Sequence, residues 1–204
     1  MRRWRALSIA LLVVAATAWL TTAALAARER FLLRGSPAWP EAIPQGGAQT
    51  GINVYLDGAD DAELATTFHN IRATDIIDVK QTFHYGQDFD WAAAGRLLAA
   101  AATEELTVVP LLDGDPAAAY APPAPAAFAA WAGEFAARYG QQIDAYIIWD
   151  EPNLAAHWGG QPANPGDYAA LLSAAAASIR TADPGATIVA APLAPTTETG
   201  PDNL

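Results

Sequence analysis

The sequence contains no cysteine, a single methionine and three histidines in 204 residues. Without thiols there is no disulfide framework, thiolate nucleophile, lipid-modified cysteine or cysteine-based metal site, and redox chemistry gives no clue to compartment. Basic charge is also scarce. Six of the eleven Lys and Arg residues are Arg2, Arg3, Arg5, Arg28, Arg30 and Arg34, which leaves Arg72, Lys80, Arg96, Arg138 and Arg180 for the rest of the chain. Against those five stand 21 of the 22 acidic residues, a balance that argues against nucleic acid or an anionic membrane surface as partner and leaves neutral ligands open. At 52% hydrophobic the chain can bury one sizeable core. Much of that content is alanine, so aromatic and branched residues must supply most of the packing.

The basic residues are concentrated at the start. Met1 to Arg5 is a basic segment, Ala6 to Ala27 carries no charge, and Ala24-Leu25-Ala26 has the small-x-small pattern of a cleavage site. Residues 1–27 are therefore expected to be a signal peptide or an N-terminal membrane anchor, with residues 6–27 as the possible tether and the body exported. Residues 28–49, with Pro37, Pro40, Pro44 and Gly46-Gly47, read as a linker. Residues 50–204 form the domain.

Within the domain, strand and helix patterns alternate. Gly51 to Leu56 is a short strand, and Asp60 or Asp61 caps a helix through Leu64, Phe68 and Ile71. Ile76 to Phe83 is a second strand, followed by a helix that Asp90 caps and that runs through Trp91, Leu97 and Leu98. Leu106 to Leu112 is nearly all apolar, as in a parallel strand covered on both faces. A helix through Phe128, Trp131, Phe135 and Tyr139 follows, its aromatics on one core-facing stripe, and Gly140 is expected to stop it. Ala145 to Trp149 is the fourth strand. Asn164-Pro165 opens a helix through Tyr168, Leu171, Ala175 and Ile179, and Thr187 to Ala191 is the fifth strand.

This alternation predicts an α/β fold with a parallel sheet, doubly wound or rolled into a barrel. No Gly-x-Gly-x-x-Gly follows the first strand, which lowers the nucleotide-binding open sheet; a flavodoxin-like five-stranded sheet still fits the count. A full (β/α)8 TIM barrel needs eight strands and roughly 250 residues. The barrel reading thus carries the expectation that this chain is truncated after about five strand-helix units.

The most informative stretch is Trp149-Asp150-Glu151-Pro152-Asn153-Leu154, directly after the fourth strand and before His157-Trp158-Gly159-Gly160. In parallel α/β architectures the C-terminal ends of strands face the active site, and a carboxylate on a proline-stiffened turn there can act as a general acid. The segment resembles the Trp-Asn-Glu-Pro-Asn signature of clan A glycoside hydrolases, the cellulase-like and beta-xylosidase-like barrels. Asp78 to Gln81, Ala137 to Gly140, Trp158-Gly159-Gly160, Ala182-Asp183-Pro184 and Leu193 to Thr196 agree in order, so the resemblance runs from about Gly51 to the end.

The resemblance implies a carbohydrate substrate, no cofactor, and Glu151 as acid/base. It implies that Asp150 takes the place of the asparagine that contacts the sugar 2-hydroxyl, and that Trp158 lines the cleft. Asp150 departs from the pattern: a carboxylate accepts a hydroxyl hydrogen bond but cannot donate one as an amide does. A retaining hydrolase needs two carboxylates about 5–5.5 Å apart. The family carries its nucleophile on the seventh strand, so this chain alone is expected to be inactive.

His84 and Lys80 are further substrate-binding candidates, each with a packing role as the plainer alternative. His157 beside Asp150 and Glu151 lacks metal-ligand spacing, and no metal is proposed. Asp113-Gly114-Asp115-Pro116 reads as turn chemistry, with a ligand contact as the lesser alternative. The competing function is a noncatalytic exported carbohydrate-binding or scaffold module, and oligomeric state is left open.

Overall fold

A computed structural model describes residues 17–25 and 50–196. The chain divides into two units, Met1–Gly47 and Ala48–Leu204. In the first, residues 17–25 are helical. Most of the expected targeting segment and all of the expected linker lie outside the described residues. Among the described residues no helix is long and apolar enough to cross a membrane.

The second unit is built on one parallel sheet of five strands: β1 (Gly51–Val54), β2 (Asp78–His84), β3 (Thr107–Asp113), β4 (Ala145–Ile148) and β5 (Thr187–Ala190). Between them run α1 (Asp61–Arg72), α2 (Trp91–Thr103), α3 (Pro125–Tyr139) and α4 (Pro165–Ala182). Each helix starts where its sequence provides for the orphan amides of the first turn. Asp60 accepts from the Glu63 amide at 2.9 Å and Asp90 from the Ala93 amide at 2.9 Å. Asn164 accepts from Gly166 at 2.9 Å, and Pro125 and Pro165 open α3 and α4 where no amide donor is needed.

Gly140 ends α3, as expected. Gly140 has φ −58°, so it is not a left-handed cap, and the chain continues into a short 3₁₀ turn, Gly140–Gln142. Space, not handedness, explains the glycine: a Cβ there would lie 3.1 Å from Asp183 and 3.2 Å from the Tyr146 hydroxyl.

Strand order is the decisive feature. The order β1-β2-β3-β4-β5 never reverses, whereas a doubly wound sheet such as flavodoxin's changes direction to place helices on both faces. With right-handed crossovers an unreversed order puts every helix on one face. The burial pattern agrees. Val79 and Phe83 of β2, Val108 and Leu112 of β3, and Tyr146 and Ile148 of β4 are all buried in the core cluster. They meet Leu64, Phe68 and Ile71 of α1, Leu97 and Leu98 of α2, Phe128, Trp131 and Phe135 of α3, and Leu171, Ala175 and Ile179 of α4. The α3 aromatics are core, as their spacing predicted; Phe135 contacts Phe83 at 4.9 Å between ring centroids.

Residues of opposite parity face away from the helices. At the centre of that face Leu111 is buried, while Val189 on the outer strand β5 is 39% exposed and Asn53 on the other outer strand is exposed. The register aligns Lys80 with Val109, Thr82 with Leu111 and His84 with Asp113, so the polar ends of β2 and β3 share this face.

Candidate active site

The backbone leaves β4 through two strained residues. Trp149 has φ +72° and Glu151 φ +45°, left-handed values that cost a residue with a Cβ about 1 kcal/mol or more each and persist only when the surroundings hold them. Those holders are identifiable. From β3, the Leu112 carbonyl accepts the Trp149 amide at 2.8 Å. From the β5 side, the Pro192 carbonyl accepts the Glu151 amide at 3.1 Å. Asn153 closes a two-way amide contact with Ala194, donating to its carbonyl and accepting from its amide at 3.0 Å each.

Tyr168 of α4 spans the β4–β5 seam. Its hydroxyl donates to the Ile148 carbonyl at 3.0 Å and accepts from the Ala191 amide at 2.6 Å. Burial raises the Tyr168 pKa, partly offset by the Ala191 amide, which keeps the hydroxyl a donor.

Beneath the turn, Trp149 is fully buried, its indole donating to the His157 carbonyl at 3.0 Å. A Cβ on Gly114 would approach the Trp149 ring to 2.7 Å, so only glycine lets the β3 exit pass over it. Trp158 packs edge-on against Trp149 at 5.3 Å and near Tyr168 at 6.4 Å, and is 3% exposed. The resemblance implied a cleft-lining aromatic; in this structure Trp158 instead supports the turn from within, because two indoles and a phenol fill the wedge between the β3 and β4 exits.

Glu151 is partly accessible, with its side chain 33% exposed, and its Oε2 lies 3.9 Å from Nε2 of His157. The His157 ring stacks on Tyr120 at 4.8 Å and 10°, and its buried Nδ1 has no hydrogen-bond partner. Burial, with Asp113 and Asp150 nearby, raises the Tyr120 pKa, so the phenol beside these groups stays neutral.

His84 places Nδ1 at 2.9 Å from the Gly114 carbonyl, and since a carbonyl only accepts, Nδ1 carries the proton. Lys80 is half-buried in the middle of β2, on the His84 face but about 13 Å down the strand at ~3.3 Å per residue, so the structure does not bring it to Glu151.

The residue whose importance the sequence understated is Asp113. It ends β3 beside His84, is 2% exposed, and accepts from the Gly114 amide at 2.8 Å. The charge of Asp150, the residue before Glu151, also acts on its carboxylate. Desolvation pushes the Asp113 pKa up to about 6, opposed chiefly by the Gly114 amide and His84 and aided by the Asp150 charge. A signal was present in the sequence: a carboxylate closing an otherwise apolar strand. Asp150 itself is half-buried.

A cavity of about 440 Å³ lies to one side, over the exits of β1 and β2, lined by Asp57, Phe83, His84, Tyr85, Asp88 and Asp115 among others. Its volume is in the range of small-molecule sites. His84 is shared between this cavity and the Asp113 cluster. Among the described residues no group of three or more His, Cys, Asp or Glu side chains is arranged to hold a metal.

Comparison with solved structures finds a similar fold elsewhere. The endoglucanase Cel5A from the hyperthermophile Thermotoga maritima superposes with a TM-score of 0.52 at 16% identity, over 74% of this chain and 58% of that one. Its complex with cellobiose gives 0.51 at 17% identity, and its complex with mannotriose 0.52 at 16%, each over 75% of this chain and 58% of that one. Its structural neighbours are glycoside hydrolases. The virulence factor SghA, solved with the substrate analogue salicin, aligns at a TM-score of 0.45 and 16% identity over 63% of this chain and 35% of that one, too distant to carry weight.

At these identities the likeness is one of fold. The chain spans 58% of the length of the Cel5A structures it matches. No protein-family model matches the chain, and no curated protein matches it.

Proposed function

We propose that this chain carries the acid/base portion of a retaining O-glycoside hydrolase, with Glu151 protonating the leaving oxygen and then activating water. The observation that carries the reading is the placement of Glu151: a partly exposed carboxylate at the C-terminal end of β4, on a strained turn fixed from β3, β5 and α4. General acid catalysis needs such a fixed, accessible proton donor. The glycosidase fold of the structural neighbours is consistent with a carbohydrate substrate.

In this reading the fold is the first five strand-helix units of a (β/α)8 barrel, and the nucleophile is supplied from outside the described residues. Neither neighbouring carboxylate suits that role. Asp113 is sealed beneath the turn, and Asp150 adjoins Glu151 in the chain, without room for a sugar between them. Asp150 and the Nε2 edge of His84, whose proton is on Nδ1, would accept hydrogen bonds from sugar hydroxyls. The basic start and uncharged run of residues 1–27 would export or tether the body outside the cytoplasm.

The test is release of reducing sugar or chromophore from aryl glycosides and soluble glucans and xylans by the full-length chain beside its Glu151→Gln variant. The chain alone is expected to be inactive. Activity abolished in the variant would show that the second carboxylate is present after all, while activity retained in the variant would overturn the role of Glu151. One observation favours a second reading, a noncatalytic carbohydrate-binding module: the 440 Å³ cavity does not include Glu151 in its lining. Sugar binding that survives Glu151→Gln but fails in Tyr85→Ala would support it.

A further inference from the structure

Beside Glu151 stands one side chain to which the acid/base reading gives no task. We propose that His157 is a positioning residue for Glu151: its Nε2–H faces Oε2 of the carboxylate and leaves Oε1 as the oxygen that carries the transferable proton. The inference rests on the acid/base reading of Glu151 but is measured separately from it.

Three observations carry it. Nε2 lies 3.9 Å from Glu151 Oε2, ion-pair range from which a carboxylate movement of about 1 Å reaches hydrogen-bond distance. Nδ1, on the other side of the ring, is buried and has no hydrogen-bond partner among the described residues. A neutral imidazole carries one proton. On Nδ1 that proton would be buried without an acceptor while the Nε2 lone pair met a carboxylate oxygen; on Nε2 it points at that oxygen, so the Nε2–H tautomer is favoured. This is the opposite of His84, whose Nδ1 donates to the Gly114 carbonyl. The third observation is that the ring is held in place. It stacks on Tyr120 at 4.8 Å and 10°, and the His157 carbonyl accepts the Trp149 indole at 3.0 Å. The Gly159 amide donates to the Ala119 carbonyl at 2.9 Å, tying the loop after β4 to the loop after β3.

With Nε2–H against Oε2, a proton on that oxygen would meet another proton, so the acid form of Glu151 carries its hydrogen on Oε1. As the glycosidic bond breaks, that hydrogen passes from Oε1 to the leaving oxygen, and the carboxylate left behind accepts from Nε2–H more strongly than the neutral acid did. His157 keeps its own proton throughout and gives none to the substrate. Packing alone would not need the nitrogen, since a phenylalanine could keep the stack on Tyr120.

The experiment is NMR of the full-length chain in mildly alkaline solution, where imidazole is neutral, reading the histidine ring nitrogens by long-range proton–nitrogen correlation and the Glu151 carboxyl carbon. It is run on the wild type, Glu151→Ala, His157→Phe and His157→Gln. In the wild type His157 is expected as the Nε2–H tautomer and His84 as the Nδ1–H tautomer. Glu151→Ala shifts the His157 ring nitrogens and leaves those of His84 in place. His157→Phe shifts the Glu151 carboxyl carbon, and His157→Gln, whose amide still donates, returns it toward the wild-type position. The Trp149 indole, bonded to the backbone carbonyl of residue 157, keeps its protection from hydrogen exchange in both. An Nδ1–H tautomer at His157, ring nitrogens indifferent to Glu151→Ala, or a Glu151 carbon that moves equally in His157→Phe and His157→Gln overturns the proposal. If the variants at 157 do not fold, the wild-type tautomer and its response to Glu151→Ala still decide it. Because the readout needs no turnover, failure of this contact leaves Glu151 to be judged by the hydrolysis assay, and failure there leaves the contact intact.

Discussion

The exits of β4 and β5 and the exits of β1 and β2 lie at the same end of one sheet and are built on opposite principles. At β4 and β5, neighbouring strands share backbone partners: Glu151 with Pro192, Asn153 with Ala194, and Tyr168 with both Ile148 and Ala191. At β1 and β2 the loops part around a cavity of about 440 Å³, with Gln81 reaching across to the Leu56 amide at 3.0 Å and to Asp57 at 3.3 Å. Cross-tied backbone holds a reacting group to a fixed position, whereas parted loops leave room for a ligand. The proposed site straddles the boundary, and His84 belongs to both sides.

The comparison breaks most sharply at Trp149, the fully buried ring beneath the tied side. Trp149→Ala is expected to cost about 3–5 kcal/mol in denaturant unfolding, the range for removing a large core aromatic. A loss below about 1 kcal/mol would mean the wedge of rings is not what supports the turn.

Next in size is a pH effect at the join. The Asp113 pKa is raised in the fold, so its contribution to stability is fully present below the unfolded value near 3.8 and is lost as pH rises through about 6. A rise from 3.8 to about 6 corresponds to roughly 3 kcal/mol. Asp113→Asn should therefore gain on the wild type by roughly that amount between pH 3.5 and 7.5 in paired denaturation series. A difference between the two proteins that does not change with pH would exclude a buried, titrating Asp113.

Tyr168→Phe keeps the ring and removes the hydroxyl that spans the β4–β5 seam, leaving the partly buried Ala191 amide without that acceptor. A loss of about 1–3 kcal/mol is expected, with faster hydrogen exchange at Ala191. On the open side, Tyr55 is 78% exposed, and Tyr55→Ser is expected to change stability by less than about 0.5 kcal/mol. A larger loss there would show that the β1 edge carries packing comparable to the tied side.

Most of the architecture was legible in local pattern. Asp60, Asp90 and Asn164 are the side-chain caps that the sequence announced, and the stripe Phe128, Trp131 and Phe135 faces the core, because capping and amphipathic spacing act within a few residues. Strand bounds shifted by one or two residues: β2 begins at Asp78, not Ile76, and β3 at Thr107, not Leu106. Gly140 stops α3 as its place after the aromatic stripe suggested, while the reason a glycine is needed there comes from Asp183 and Tyr146, distant in sequence. Trp158 looks like a ligand platform beside an active-site motif, yet whether an indole faces a cleft or fills a wedge depends on what the neighbouring exit leaves empty.

By itself the sequence determined the alternation of strands and helices, the helix starts, the apolar faces and the position of Glu151 after the fourth strand, since each follows from periodicity and short-range hydrogen bonding. Tertiary structure decided the rest. The unreversed strand order puts the helices on one face, and the register places Asp113 beside His84 in a position where its carboxylate is buried. Those relations join residues more than 25 positions apart, through backbone hydrogen bonds and desolvation that exist only once the strands are side by side.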